Sequence, residues 1–152
     1  MTARTKEANA EKKKTRPLVS AEKKKAKPLV SARMTEVLKK QIVEKLVNGK
    51  RFLDAGYTAR KLAEEIGTNH RYLSVVLREE FHTNYTSLVN KYRVGEAMSL
   101  LTDWRCREMT IEDISDKVGF AHRQSFYAAF TKIVGTTPKA FRQRYEENCQ
   151  KK

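Results

Sequence analysis

The chain has 152 residues, enough for one compact domain and a tail. It carries 32 Lys and Arg against 18 Asp and Glu, and this net charge of +14 favours nucleic acid as a partner over an anionic membrane surface. It contains neither the apolar run of a membrane span nor that of a secretory signal, so we expect a cytoplasmic protein without a membrane partner. Cys106 and Cys149 lack the spacing of a metal or redox motif.

The first 33 residues hold most of the excess charge. They contain 11 basic and 3 acidic side chains, and residues 10–20 and 21–31 are two copies of one eleven-residue unit with three consecutive lysines. Pro17 and Pro28 interrupt helices, and the few apolar residues bury too little surface to offset chain entropy. We therefore predict a disordered basic arm over residues 1–33, which acts as a solvated linker, as a phosphate-binding arm, or as both.

The folded domain is predicted over residues 34–152, and its first element is a helix that begins near Met34. Leu38, Ile42 and Leu46 recur at one face of this helix. Asn48 and Gly49 follow as a stop signal, which predicts that the helix ends in a left-handed residue.

A first helix-turn-helix unit is predicted over residues 57–81. Thr58 is the expected N-cap, and Gly67 suits a left-handed turn that other side chains resist. The second helix of the unit, near 69–80, is expected to bury Leu73, Val76 and Leu77. The same periodicity turns a polar and basic face outward, made of His70, Arg71, Ser74, Val75 and Arg78.

A long connector helix is predicted over residues 85–102. Gly95 within it costs about 1 kcal/mol of helix preference relative to Ala. A rigid connector would fix the separation of two flanking units. Its apolar side is expected to comprise Leu88, Tyr92, Ala97, Leu100 and Leu101.

A second helix-turn-helix unit is predicted over residues 109–134. Thr110 and Asp113 form a capping box, and Gly119 makes the turn. The next helix is expected to bury Phe126, Ala129, Phe130 and Ile133 and to expose Arg123, Gln124, Tyr127, Ala128 and Thr131.

A final helix is predicted over about 138–147. Gly135 ends the preceding helix, and Thr137 with Pro138 begins the new one. Phe141 and Tyr145 are expected to face inward.

The two units align on Gly67 and Gly119, and the doubled pattern carries a family resemblance. From about Tyr57 to Tyr145 the chain resembles the DNA-binding domain of the AraC/XylS family of bacterial transcription regulators. The most specific matches are Ile114, Val118, Gly119, Phe120, Phe126, Phe130, Gly135, Thr137, Pro138, Phe141 and Arg142. The connector matches at Arg93, Ala97, Leu100 and Leu101.

This resemblance implies an all-α fold of seven helices, in two helix-turn-helix subdomains joined by the connector. It also implies that each unit places its second helix in the major groove of double-stranded DNA. Arg and Gln suit such readout because they pair bidentately with guanine and adenine, respectively. Carried over by position, the base-reading candidates are His70, Arg71, Ser74, Val75, Arg123, Gln124, Ser125, Tyr127 and Ala128.

The sequence leaves two kinds of DNA-binding protein open. Val75 and Ala128 stand where the family often has long polar side chains, which favours a low-specificity nucleoid or architectural protein. Arg123 with Gln124 favours a sequence-specific transcription regulator, which is the function we predict. The candidates for phosphate contacts are Arg78, Lys61, Lys117, Lys132 and Lys139.

Other site types find little support. We expect no enzyme, cofactor or metal site, because there is no phosphate loop, catalytic triad or second ligand cluster beside His70 and His122. Trp104 and the aromatic stripe through Phe126 and Phe130 are predicted to belong to the core. We expect a monomer on DNA at the nucleoid, with RNA polymerase or another regulator as a further partner, and no small-molecule sensing through a separate domain.

Overall fold

Seven α-helices build residues 29–151, the part of the chain that this computed structural model describes. Within that range there is no β-strand, so the all-α prediction with two helical units and a connector is confirmed. No helix there is both long and apolar enough to cross a membrane. The helices are α1 Ala32–Ile42, α2 Ala59–Glu65, α3 His70–Glu80, α4 Tyr85–Thr102, α5 Ile111–Lys117, α6 Arg123–Val134 and α7 Pro138–Gln150.

The fold begins earlier than the predicted start at Met34. Val30 is only 5% exposed and belongs to the first core, where burial of a valine side chain contributes about 1.5–3 kcal/mol. Ser31 caps α1, because its side chain accepts a hydrogen bond from the backbone N–H of Met34. Residues 29–33 of the predicted arm therefore belong to the folded part of the chain, and its residues 1–28 lie outside the described residues.

The end of the first helix differs from the prediction that Gly49 is left-handed. Gly49 has a φ of −74°, and the left-handed residue is Lys50, with a φ of 50°. A π-helical stretch, Val43–Asn48, widens the last turn, so that the chain reverses one residue later. Gly49 is needed for another reason, since a Cβ there would lie 2.6 Å from the carbonyl oxygen of Lys45.

There are two hydrophobic cores, one at each end of the connector helix α4. The first is built by α1, α2, α3 and the beginning of α4. The second is built by the end of α4 with α5 and α6, and Phe126 and Phe130 are fully buried in it. Because α4 contributes Leu88 to the first core and Leu101 to the second, it joins the two units through buried contacts.

The local signals at the turns are confirmed. Gly67, Gly119 and Gly135 all have positive φ. Thr110 and Asp113 form the complete capping box at the start of α5. The side chain of Asp113 accepts hydrogen bonds from both the hydroxyl and the backbone N–H of Thr110, and these bonds lower the pKa of Asp113.

Three aromatic or aliphatic side chains predicted to be buried are exposed instead. Trp104 is 79% exposed in a 3-10 turn that follows α4, outside both cores. In the last turn of α6, Val134 packs against the second core and leaves Ile133 exposed. Tyr145 is exposed because the contact of α7 with that core is made one turn earlier, by Phe141.

Candidate nucleic-acid interface

The first unit presents one face of α3. Asn69 caps this helix by accepting a hydrogen bond from the backbone N–H of Tyr72 at 2.8 Å. Leu73, Val76 and Leu77 are buried beneath it. The outward side carries all five predicted residues of this helix, and we call it the first reading surface: His70, Arg71, Ser74, Val75 and Arg78.

The first reading surface lines a shallow groove together with Leu29 and Glu79. Val75 lies on this outward face but is only half-exposed, because it also packs against the first core. The Ser74 hydroxyl donates to the carbonyl oxygen of His70, so its proton is already used within the helix. The sequence pattern missed Glu79, which helical spacing could have indicated, and Leu29, for which no local signal exists.

Two tyrosines fix the first unit against the connector. The Tyr85 hydroxyl donates to the carbonyl oxygen of Tyr57 at 2.6 Å, and burial raises the pKa of Tyr85 to about 12. The Tyr57 hydroxyl donates to Glu65 at 3.0 Å, and burial with this bond raises the pKa of Tyr57 as well. Both hydroxyls therefore stay protonated near neutral pH and hold α2 beside the start of α4.

The second unit presents one face of α6. Phe126, Ala129 and Phe130 are buried beneath it, and Tyr127 is half-buried against Phe126. His122 is the N-cap residue of α6, and its side chain forms no capping hydrogen bond. The first backbone N–H groups of α6 are therefore not capped by this side chain. We call the outward side the second reading surface: Arg123, Gln124, Ser125, Tyr127 and Ala128.

Arg123 is held in place by two neighbours on the protein. Its guanidinium lies 5.2 Å from the centre of the Tyr127 ring, and its Nη1 lies 2.7 Å from Oε1 of Glu112 on α5. The Tyr127 hydroxyl and the Glu112 carboxylate raise the pKa of Arg123. Sequence reasoning missed Glu112, because its position in a different helix gives no spacing signal.

The predicted phosphate contacts are all exposed side chains. Lys61 is partly engaged, since its ammonium group donates to the carbonyl oxygen of Gly56 at 2.9 Å. The other four form no ion pair within residues 29–151: Arg78, Lys117, Lys132 and Lys139.

Arg93 on α4 joins the two units. It donates to the carbonyl oxygens of Phe52 at 2.5 Å and of Asp54 at 3.0 Å. The same guanidinium lies 5.4 Å from the centre of the Phe120 ring, at the turn of the second unit. Burial lowers the pKa of Arg93 from its ordinary value. Arg93 thus fastens the Phe52–Asp54 segment, which we call the bridge, between the connector and the second turn.

Gly119 makes the second contact to the bridge. Its φ is +91°, and it is buried against the backbone of Leu53. A Cβ at Gly119 would lie 2.7 Å from the carbonyl carbon of Leu53 and closer still to its oxygen. Arg93 and Gly119 therefore both contact the bridge, Arg93 from the connector and Gly119 from the turn of the second unit. Over the described range, no group of three His, Cys, Asp or Glu side chains is placed to hold a metal.

Comparison with known proteins agrees with this double unit. The family described as a helix-turn-helix domain matches residues 62–144, which include both turn glycines. The melibiose operon regulatory protein of Escherichia coli K12 is 25% identical over 97 residues, which are 64% of this chain and 31% of that protein. The chain thus matches less than a third of the length of that relative.

Solved structures give the same fold. The C-terminal domain of AraT, a response regulator from Geobacillus stearothermophilus, has 25% identity and a TM-score of 0.61, covering 71% of this chain and 84% of that one. The C-terminal domain of the response regulator yesN from Fusobacterium nucleatum has 24% identity and a TM-score of 0.60, covering 68% and 97%. Since the family match covers more than half of the residues, the chain belongs to the AraC-type helix-turn-helix family.

Proposed function

We propose that this chain is a sequence-specific transcription regulator that inserts α3 and α6 into successive major-groove segments of double-stranded DNA. The observation that carries the proposal is that two exposed reading surfaces, each with an arginine in its first turn, are held on one connector. Successive accessible segments of the major groove recur about 34 Å apart on one side of B-DNA. A rigid connection between the reading helices restricts binding to one such spacing.

The two surfaces are suited to different parts of the task. Arg123 and Gln124 are exposed neighbours at the start of α6 and offer donors for guanine and for adenine. On α3 the half-buried Val75 and the internally bonded Ser74 leave Arg71 as the main donor near the start of the helix. The second surface therefore reads most of the sequence, and the first chiefly positions the protein.

Selection from a random DNA pool at physiological salt tests the proposal. We expect one enriched motif, and we expect Arg123→Ala and Gln124→Ala each to relax the preference at one base position by about 5- to 150-fold. Lys132→Ala is the matched control, since loss of a phosphate contact weakens binding to all sequences alike and reduces the salt slope by about 1. A pool without any enriched motif would favour the low-specificity architectural protein, which the short side chains of Val75 and Ala128 suit.

Glu112→Gln tests whether the free protein holds Arg123 back from DNA. Removing the carboxylate frees the guanidinium and removes a negative charge beside the second reading surface. Because the ion pair is largely exposed, we expect DNA affinity to rise by less than about fivefold. The measurement is a binding titration at several salt concentrations.

The control for that variant is Glu108→Gln, which makes the same charge change at a side chain that does not contact Arg123. An equal rise in DNA affinity in both variants would show that the effect comes from the change in net charge alone. A fall in affinity with Glu112→Gln would mean that the carboxylate orients Arg123 for the base.

The same geometry supports binding as a monomer, because one chain already supplies two reading surfaces. The DNA site is then asymmetric, since the two surfaces share an arginine and a serine but only the second carries Gln124 and only the first carries Arg78. RNA polymerase or another regulator is the expected protein partner, and binding to the chromosome would place the protein at the nucleoid.

A further inference from the structure

An exposed leucine lies on the surface that the proposed function places against DNA. Leu29 is 42% exposed and lines the shallow groove of the first reading surface. It belongs to the segment before α1, so it reaches this surface from outside the helix-turn-helix unit. Single exposed leucines are common on proteins, and exposure alone indicates no function. The position is informative, because the other described residues that line the groove are polar or charged, with the exception of Val75.

The position of Leu29 is fixed by the two residues that follow it. Val30 is buried in the first core, and the side chain of Ser31 accepts the capping hydrogen bond at the start of α1. Consecutive Cα atoms are about 3.8 Å apart, so the backbone of Leu29 stays beside α3 while these two contacts hold. A side chain that is already held in place loses less conformational entropy on binding. Leu29 is therefore positioned for contact before DNA arrives.

Val75 supplies a second apolar side chain to the same groove. It is half-exposed and packs against the first core, so its outer part is presented at a fixed position. Neither side chain has a donor or acceptor for the polar edge of a base. Arg71 and Arg78 line the groove as well, and their charges attract DNA to it. The groove thus combines two fixed apolar side chains with a basic border.

The major groove of DNA offers one apolar group on its base edges, the C5-methyl group of thymine. The other groups that distinguish the bases there are hydrogen-bond donors and acceptors. An apolar side chain against such a group leaves it without a partner, which costs free energy. Burial of one methyl group strengthens binding about fourfold, from the usual hydrophobic gain per carbon. The apolar side chains of this groove therefore favour a thymine.

We propose that Leu29, together with Val75, reads the C5-methyl group of a thymine in the half-site bound by α3. Leu29 is then a specificity-determining residue that lies outside both helix-turn-helix units. The inference rests on the proposed function and names one base of the sequence that the first unit recognises. It adds a base preference to a surface that has few donors for hydrogen bonds to bases.

Replacement of thymine by uracil tests this contact, because it removes the methyl group and leaves every hydrogen-bonding atom of the base in place. Uracil is placed in turn at each thymine of the site enriched from the random pool. At one thymine we expect uracil to weaken binding of the wild-type protein about fourfold. Leu29→Ala should bind the thymine site more weakly and lose little more with uracil. This thymine should lie in the opposite half of the site from the base whose preference Arg123→Ala relaxes.

A control variant and a second methyl group make the test specific. Met34→Ala is the matched control, because Met34 is 49% exposed on α1 and is not among the described residues that line the groove. It should keep the wild-type difference between thymine and uracil. Cytosine and 5-methylcytosine at the same position also differ only by the methyl group. Methylation should strengthen binding of the wild-type protein about fourfold and leave binding of Leu29→Ala nearly unchanged.

The outcomes separate this inference from the proposed function. A pool without an enriched motif would be a failure of the proposed function. With an enriched motif, the same response to uracil in wild type and Leu29→Ala at every thymine would overturn the role of Leu29 alone. A coupled thymine in the half read by α6, or no thymine in the other half, would do the same. Stronger binding of Leu29→Ala to thymine and uracil sites alike would also contradict it, since Leu29 would then obstruct α3.

Discussion

Gly119→Ala is expected to reduce the free energy of unfolding by about 2–5 kcal/mol, whereas Gly67→Ala at the matching turn should cost about 1–2 kcal/mol. Both residues have positive φ, which a non-glycine residue adopts at a cost of about 1–2 kcal/mol. They differ in their surroundings, because no atom of residues 29–151 beyond the chain neighbours lies within 4 Å of a Cβ at Gly67. At Gly119 the added carbon would overlap the Leu53 carbonyl, and forcing an extra carbon into a packed site costs about 1–3 kcal/mol.

Denaturant unfolding of the two variants measures this difference directly. DNA binding adds a second readout, because relief of the overlap moves the second turn away from the bridge and displaces α6 relative to α3. We expect Gly119→Ala to lose site-specific affinity even at a temperature where it is fully folded, while Gly67→Ala keeps it. Equal losses of stability in the two variants would show that the approach to Leu53 does not matter.

The sequence predicted those parts of the fold whose signals lie within a few residues. The capping box of Thr110 and Asp113, the turn glycines and the Thr137-Pro138 start each depend on a local backbone requirement, and all are confirmed. The exposure of Trp104 was missed, because periodicity shows which residues share a face and not where the neighbouring element ends.

The residues of the candidate site were likewise predictable where the signal lies within a single helix. Helical spacing indicated the outward faces of α3 and α6, but it could not show that Val75 also packs against the core. Contacts across helices left no signal either, so the pair of Arg123 with Glu112 and the position of Leu29 emerged only from the fold. The roles of the reading residues at DNA stay predictions.

The glycines of both turns have positive φ, yet of the two only Gly119 also lies against the bridge between the units. Gly67 serves the backbone conformation alone, whereas Gly119 also allows the bridge to approach. Arg93 reaches the same bridge from the connector. We therefore expect the spacing of the reading helices to depend on contacts that lie away from both reading surfaces, and variants at those contacts should change which DNA spacing is accepted.

Arg93→Met is the variant that should expose this coupling most clearly. Methionine keeps much of the length of the side chain but loses the hydrogen bonds to the Phe52 and Asp54 carbonyls and the contact of the guanidinium with Phe120. Since the group is half-buried, we expect a loss of about 2 kcal/mol in the free energy of unfolding. Arg107→Met is the matched control, because Arg107 is exposed and forms only a 3.8 Å ion pair with Glu108.

The decisive readout for Arg93 is the tolerance of the protein for the spacing between its two half-sites. We expect the wild-type protein to bind one spacing best and to lose affinity steeply when a base pair is inserted or removed. Arg93→Met should bind the optimal spacing more weakly and lose less at the altered spacings, because α6 is less firmly placed relative to α3. Arg93→Lys keeps the charge but cannot reach both carbonyls and stack on the ring, so it should resemble Arg93→Met. An equally steep dependence on spacing in all variants would mean that α4 alone fixes the two units.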